Sequence, residues 1–308
     1  MNPWYFFASF SVWLPAGVSC ALEKDVVISV YQGPCDDGNF AANLATARQS
    51  IEQARARGSH FLVLPEEFLS GCDTLENLRR GARRMDDPQL QDFIKETAEH
   101  DLVVLAGLAR LTDEGIYNSV LVIQSGKLLG IYDKVILTGG EKRQYGVLPG
   151  KAVPVFEAHG ARFAVVVCHD SSFPHPALLA RLKGAELLFT PHYNHIGPQT
   201  VDDHRKWVRH CHVGLACQMK MAVARANVVV TDKKESLGYG ESFIVSPQGE
   251  MLARGELFRS ELVTARITPA MLRHPYVWAD LEEVPAWLNA ELADRLRANR
   301  APAAGRER

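Results

Sequence analysis

FAVVVCHDSSFP, residues 163–174, runs from an apolar, β-branched stretch straight into a cysteine, a histidine and an aspartate. A buried strand that ends in three reactive side chains either carries a filler thiol above a turn or exists to hold that thiol at its tip. A thiol is a useful nucleophile only as thiolate, so Cys168 needs a base or a cation beside it. His169 is adjacent, but successive residues leaving a strand point to opposite sides, so the base must come from elsewhere. Two further strand ends offer charge: LVLPEEF (62–68) places Glu66 and Glu67 just after Pro65, and GIYDKVIL (130–137) puts Lys134 inside an apolar run. Burying a thiol, a carboxylate and an ammonium separately is costly, whereas one shared pocket lets them compensate.

Outward from this stretch, strand and helix signals alternate from residue 25. DVVISVYQG (25–33), HFLVLPEE (60–67) and DLVVLAGLAR (101–110) read as strands, separated by helical NFAANLATARQSIEQARARG (39–58) and DPQLQDFIKETAEH (87–100). YNSVLVIQ and KLLGIYDK meet at Ser125–Gly126, the signature of a hairpin. After Cys168 come helix HPALLARLKG (175–184), strand AELLFTP (185–191), helix 201–220 and strand MAVARANVVV (221–230). ESFIVSPQGEMLARG (241–255) and ELVTARI (261–267) add strands, and EEVPAWLNAELADRLR (282–297) a last helix. Roughly twelve strands and about five helices make a mixed α/β domain of stacked layers. No linker divides residues 25–285, which read as one domain; 286–308 is a C-terminal helix and tail.

The apolar N-terminal extension, residues 1–24, carries no Lys or Arg in its first 22 positions and is broken by Pro15 and Gly17. A secretory signal normally has a positive start, so an inert extension is favoured over a signal or anchor. Six cysteines form no CxxC pair, which reads as reduced thiols and a cytoplasmic setting, with export the alternative if residues 1–22 act as a signal. A net charge of −2 in 308 residues gives no reason to expect a nucleic-acid partner.

LPEEFLSG, YDKVIL and VVVCHDSSFP, in that order, resemble the three motifs of the carbon–nitrogen hydrolase (nitrilase) superfamily, and the likeness extends over about residues 25 to 268. It implies a four-layer α-β-β-α sandwich, a homodimer or larger homo-oligomer, no cofactor and no metal. It also implies roles: Cys168 as nucleophile, Glu66 as general base and Lys134 as oxyanion stabiliser. Gly71 lies five residues after Glu66, the offset that selects Glu66 over Glu67, leaving Glu67 as a solvated or structural neighbour. Glu141 matches the family's second glutamate, at a slightly long distance from Pro149. The reaction so implied is cleavage of a non-peptide C–N bond, in a linear amide or N-carbamoyl amine, through a thioester, with the His169 N–H completing the oxyanion hole. Amide is favoured over nitrile hydrolysis because nitrilases follow the cysteine with Trp-Glu, and here it is His-Asp.

Asp170, Ser171, His192, Tyr193 and Asn194 are the expected substrate-pocket residues, the last three from PHYNHIGP at the pocket mouth. The crowd of His192, His195, His204, His210 and His212 raises a rival, a metal-dependent hydrolase, but lacks the spacing of a zinc helix and any CxxC. A non-catalytic scaffold is the other rival, and such a protein would be expected to lack a catalytic residue. Cys72, Cys211 and Cys217 read as structural. Family members acting on N-carbamoyl amino acids place arginine just past the cysteine, where this chain has Ser171 and Ser172. The small-molecule substrate is therefore expected to be neutral or cationic, unless Arg205 or Arg209 reaches in.

Overall fold

The computed structural model describes residues 22–233, 235–273 and 284–298. In chain order the first half contains β1 (Val26–Gly33), α1 (Phe40–Ala56), β2 (Phe61–Val63), α2 (Leu75–Gly81), α3 (Pro88–Glu96), β3 (Val103–Leu111), β4 (Ile116–Gln124) and β5 (Lys127–Asp133). The second contains β6 (Val155–Ala158), β7 (Ala161–Val165), α4 (Pro174–Leu182), β8 (Leu187–Pro191), α5 (Val201–Met219), β9 (Ala222–Val230), β10 (Gly238–Tyr239), β11 (Phe243–Val245), β12 (Met251–Arg254) and β13 (Glu261–Ile267), then α6 (Pro269–Leu272) and α7 (Ala286–Ala298). Residues 1–21 lie outside the described residues, so nearly all of the N-terminal extension does too.

Strands run in the order β5-β4-β3-β2-β1, with β13 antiparallel to β1, and β9-β8-β7-β6 continue from β1 through a two-residue parallel join at Gln32 and Gly33. β11 and β12 extend the second half beside β9. Side chains alternate faces along a strand, and β2 shows what that does here. Phe61 and Val63 enter the core shared with Phe163, Val165, Leu187 and Phe189 of the other half. Leu62 and Leu64 enter a second core against Phe40, Leu44 and Ile51 of α1 and Phe93 of α3. The far side of the second half is covered by α4 and α5, through Ala177, Ala180, Leu215 and Met219. The result is the α-β-β-α sandwich.

Local chemistry sets the element ends. The Asn39 side chain caps α1 through Ala42 N, and the Asp87 side chain caps α3 through Leu90 N. Ser125 and Gly126 both take positive φ, the requirement of the tight turn between antiparallel β4 and β5. The short helix α2, capped by Thr74, escaped the sequence reading, because seven residues are too few to establish a helical period. No helix among the described residues is long and apolar enough to cross a membrane.

Candidate active site

The first half contributes the charges. β2 ends at Val63, and Glu66 follows Pro65 in a tight turn whose Gly71 N–H donates to Glu67 O at 2.8 Å. Gly71 adopts φ +70°, and a Cβ there would lie 2.5 Å from Asp37 Cα, so glycine fits the position on both counts. Gly107 of β3 serves the same turn by close approach: a Cβ would sit 2.3 Å from Pro65 O and 2.4 Å from Glu67 N. Lys134 was expected inside its strand but stands one residue past the end of β5. Its N–H bonds Asn118 O and its carbonyl accepts from Gly150 N, each at 2.8 Å, so the chain leaves the sheet there to admit the LPG segment.

Lys134, 1% exposed, donates from Nζ to Glu66 Oε1 and to Glu141 Oε1, both at 2.8 Å. Asn118 Nδ2 donates to the same two oxygens at 2.8 and 3.1 Å. The remaining oxygens are held by backbone: Tyr193 N–H bonds Glu66 Oε2 at 2.9 Å and Thr138 N–H bonds Glu141 Oε2 at 2.7 Å. Burial alone would strip the lysine of its proton, but Glu66, Cys168 and Glu141 outweigh it and hold Lys134 well above the usual lysine range. Burial likewise raises Glu141, and Lys134 overturns that to leave its carboxyl below the ordinary value.

The second half contributes the sulfur. β7 stops at Val165, two more residues run on extended, and Cys168 opens a 3-10 turn with φ +47°. A non-glycine residue there is strained, and the surrounding structure must over-determine it. Asp170 does so: its carboxylate accepts from Tyr132 OH at 2.6 Å, Val167 N–H at 2.9 Å and Ile136 N–H at 2.7 Å, tying the turn to the segment around Lys134. Asn194 Nδ2 lies 3.7 Å from Cys168 Sγ, and the Glu66 carboxylate and the Lys134 ammonium are the charged groups that act most on the thiol. Burial pushes this thiol well above the ordinary range, Glu66 adds to the rise and Lys134 offsets part of it. The resting sulfur is therefore SH, with a carboxylate positioned to take its proton.

Glu66, Lys134, Glu141 and Cys168 thus share one buried site. Other sequence expectations are placed differently. Asp170 is fully buried with both oxygens engaged by protein donors, so it supports the turn and lines no pocket. Ser171 also turns inward, its hydroxyl donating to Cys168 O at 2.6 Å. His192 is buried rather than at a mouth: its carbonyl accepts from Glu66 N–H, and its ring faces His212, Nε2 to Nε2 at 3.1 Å. Two rings sharing one proton in an apolar site stay neutral, and burial together with Arg225 drives both below the usual range, His212 to about 3. Among the described residues no group of three or more His, Cys, Asp or Glu is arranged to hold a metal ion. The His169 ring stands edge-on to Phe173, away from any role as base. Glu67, expected to be solvated or structural, is 4% exposed and packed behind Glu66.

Two contributors escaped the sequence reading. Asn118 and Arg225 are polar residues inside otherwise apolar strands, YNSVLVIQ and MAVARANVVV, and that interruption was the available signal. Arg225, fully buried in β9, donates to Asn194 Oδ1 at 2.6 Å and to Glu241 O at 2.8 Å. Arg205 and Arg209, the alternative partners for a substrate carboxylate, both pair with the buried Glu241 carboxylate at 3.0 and 3.4 Å.

The carbon-nitrogen hydrolase family model matches residues 27–274. An N-carbamoylputrescine amidase from Arabidopsis thaliana is 26% identical over 269 residues, spanning 82% of this chain and 89% of its own length. A citrullinase from Francisella tularensis is 26% identical over 261 residues, spanning 81% of this chain and 91% of its own. The crystal structure of Nit3 from Saccharomyces cerevisiae, of branch 10 of the nitrilase superfamily, superposes with a TM-score of 0.73 at 21% identity, covering 83% of this chain and 95% of that one. This last likeness speaks for the fold.

Proposed function

The chain belongs to the carbon–nitrogen hydrolase family and is an amidase-type hydrolase, and from that premise we propose how its residues divide the work and which substrate charge they accept. Glu66 takes the Cys168 proton as the sulfur attacks the carbonyl carbon. The oxyanion that forms is met by the Lys134 ammonium and the His169 N–H, donors aimed at charge present only in the transition state. Glu66 then returns its proton to the leaving amine and activates the water that cleaves the thioester. Glu141 and Asn118 keep Lys134 in place. The observation that carries this reading is the buried ammonium bonded at 2.8 Å to each of two carboxylates, beside a cysteine at the end of a strand.

The preferred substrate is a neutral or cationic linear amide or N-carbamoyl amine. Arg205 is paired with Asp202 and Glu241, Arg209 with Glu241, and Arg225 is buried against carbonyls and Asn194, so each of the three is already held by the protein. On another side Tyr193 leads from Glu66, through its N–H, to Asp37, through its hydroxyl, and Asp37 is itself paired with Lys233 at 3.0 Å. The relative named for N-carbamoylputrescine, a ureido compound with a distant amine and no carboxylate, supports the cationic choice, and the one named for citrulline supports the ureido class. Ammonia release from N-carbamoylputrescine, citrulline and N-carbamoyl-β-alanine tests it. The expected order of kcat/KM places N-carbamoylputrescine well above N-carbamoyl-β-alanine; preference for the acid would overturn the charge argument.

A homodimer is the proposed assembly, through the outer layer where Leu179, Leu182 and Trp207 stand exposed on α4 and α5. Light scattering at micromolar concentration reads it directly.

A further inference from the structure

Immediately behind the catalytic carboxylate lies one that the mechanism does not use. Glu67 follows Glu66 with φ +46°, in a turn pinned against Gly107 of β3, and its side chain has almost no access to water. Its Oε1 has no hydrogen-bond partner, and beside it the Cys72 thiol favours the ionised form only enough to offset part of the effect of burial. A buried carboxylate with so few donors is costly, whereas a carboxylic acid is tolerated. Its ionic neighbour Glu66 shows the contrast, with both oxygens held by an ammonium, an amide and a backbone N–H.

We propose that Glu67 is a positioning residue that holds a proton: it stands as the neutral acid behind Glu66, and its ionisation sets the alkaline limit of the enzyme. The proposal rests on Glu66 being the base. The groups facing Glu67 are Glu66 from its own turn, Lys134 and Glu141 from the segment after β5, Cys72 from the following loop and, further out, Tyr145. With Glu67 protonated, two carboxylates share one ammonium. Once it loses its proton to solvent, a third negative charge competes for Lys134. That charge also repels the two anions the reaction must form, the Cys168 thiolate and the tetrahedral oxyanion. Burial, reinforced by Glu66 and Glu141, raises Glu67 to about 8, which puts the transition within reach of a pH–rate profile.

The test compares kcat/KM of the wild type and Glu67→Gln between pH 6 and 10 on a neutral amide, with thermal unfolding followed in parallel. The wild type should lose activity about tenfold per pH unit above the limb. Glu67→Gln should keep its neutral-pH rate within a few-fold and move that limb upward by a unit or more. Superimposable profiles would overturn the proposal. Should Glu67→Gln not fold, Cys72→Ala serves: removing the neighbouring thiol that favours the carboxylate form disfavours ionisation and should shift the limb to higher pH, and an unmoved limb would count against the idea. Stability reads the same proton without any substrate. In the unfolded chain Glu67 ionises in the ordinary carboxylate range, while the folded chain holds its proton up to about 8, so stability falls across that interval and stays lower above it. Glu67→Gln should therefore unfold at a higher temperature than wild type at pH 8 and show no such advantage at pH 4. An inactive wild type would refute the catalytic reading and leave this stability difference to judge Glu67 alone.

Discussion

The two halves of the sandwich bring different kinds of order to the site. Around Lys134 and Glu66, on the β2–β5 side, position is set by charge: one ammonium, an amide and two backbone N–H groups donate to two carboxylates at 2.7–3.1 Å. Around Cys168, on the β7–β9 side, position is set by backbone: a residue at φ +47° is held in its turn by the buried Asp170, while the sulfur's neighbours include an amide at 3.7 Å. A charged network fails when one member is removed, because the rest are left buried without partners. A strained turn survives loss of the side chain it displays. The charged half should thus control stability and rate together, and the sulfur half rate alone.

Cys168→Ala sharpens that contrast most. Turnover should fall below detection, a loss of at least about a thousandfold, because no thioester can form. The melting temperature should stay close to that of the wild type, since no ion pair is disturbed. Cys168→Ser should retain little activity, because Glu66 then faces a far less acidic hydroxyl. Substantial amidase activity in Cys168→Ala would remove the nucleophile assignment.

Lys134→Met should break the other half. Methionine fills much the same volume, but Glu66 and Glu141 then face each other without a cation, and breaking a buried pair costs about 3–5 kcal/mol. Unfolding in urea should show that loss together with abolished turnover. A variant as stable as wild type would mean that the two carboxylates take up protons at little cost, and that charge does not organise this half after all.

How far these features were legible in the sequence follows the same division. Glu66, Lys134 and Cys168 could be read because an apolar run that stops at an ionisable residue, or is interrupted by one as at Lys134, is a one-dimensional signal. The alternation of Phe61 and Val63 with Leu62 and Leu64 likewise carries both cores of the sandwich in one strand. What could not be read depended on which direction a side chain takes after the strand ends. Asp170 and Ser171 follow Cys168 and looked like pocket residues; the 3-10 turn points both inward, where they bond the backbone that strains the cysteine. Glu67 read as a solvated or structural neighbour because Glu66 matched the motif, and the close approach of β3 at Gly107 goes with its burial. Asn118 and Arg225 come from strands distant in sequence and meet the site through sheet register, which no local pattern encodes.

Asn194 gives the smallest expected effect and the finest test of the comparison, because it touches both kinds of order. Its carboxamide is oriented by charge: Arg225 can only donate, so Oδ1 must face the guanidinium, and Nδ2 is thereby turned toward Cys168 Sγ. An N–H directed at sulfur favours thiolate over thiol. Hydrogen bonds to charged groups contribute about 1.5–3 kcal/mol, so Asn194→Ala should lower kcat by roughly 10- to 150-fold. It should also lose about 1–3 kcal/mol of stability, for it leaves a guanidinium N–H buried without an acceptor. Asn194→Asp separates the two contributions. Its carboxylate would pair with Arg225 and keep the melting temperature at or above that of the alanine variant. The same carboxylate would face the sulfur with an acceptor where the wild type has a donor, and kcat should fall at least as far as in Asn194→Ala. If rate instead recovers along with stability, Asn194 only props up Arg225, and the sulfur is positioned by its backbone turn alone.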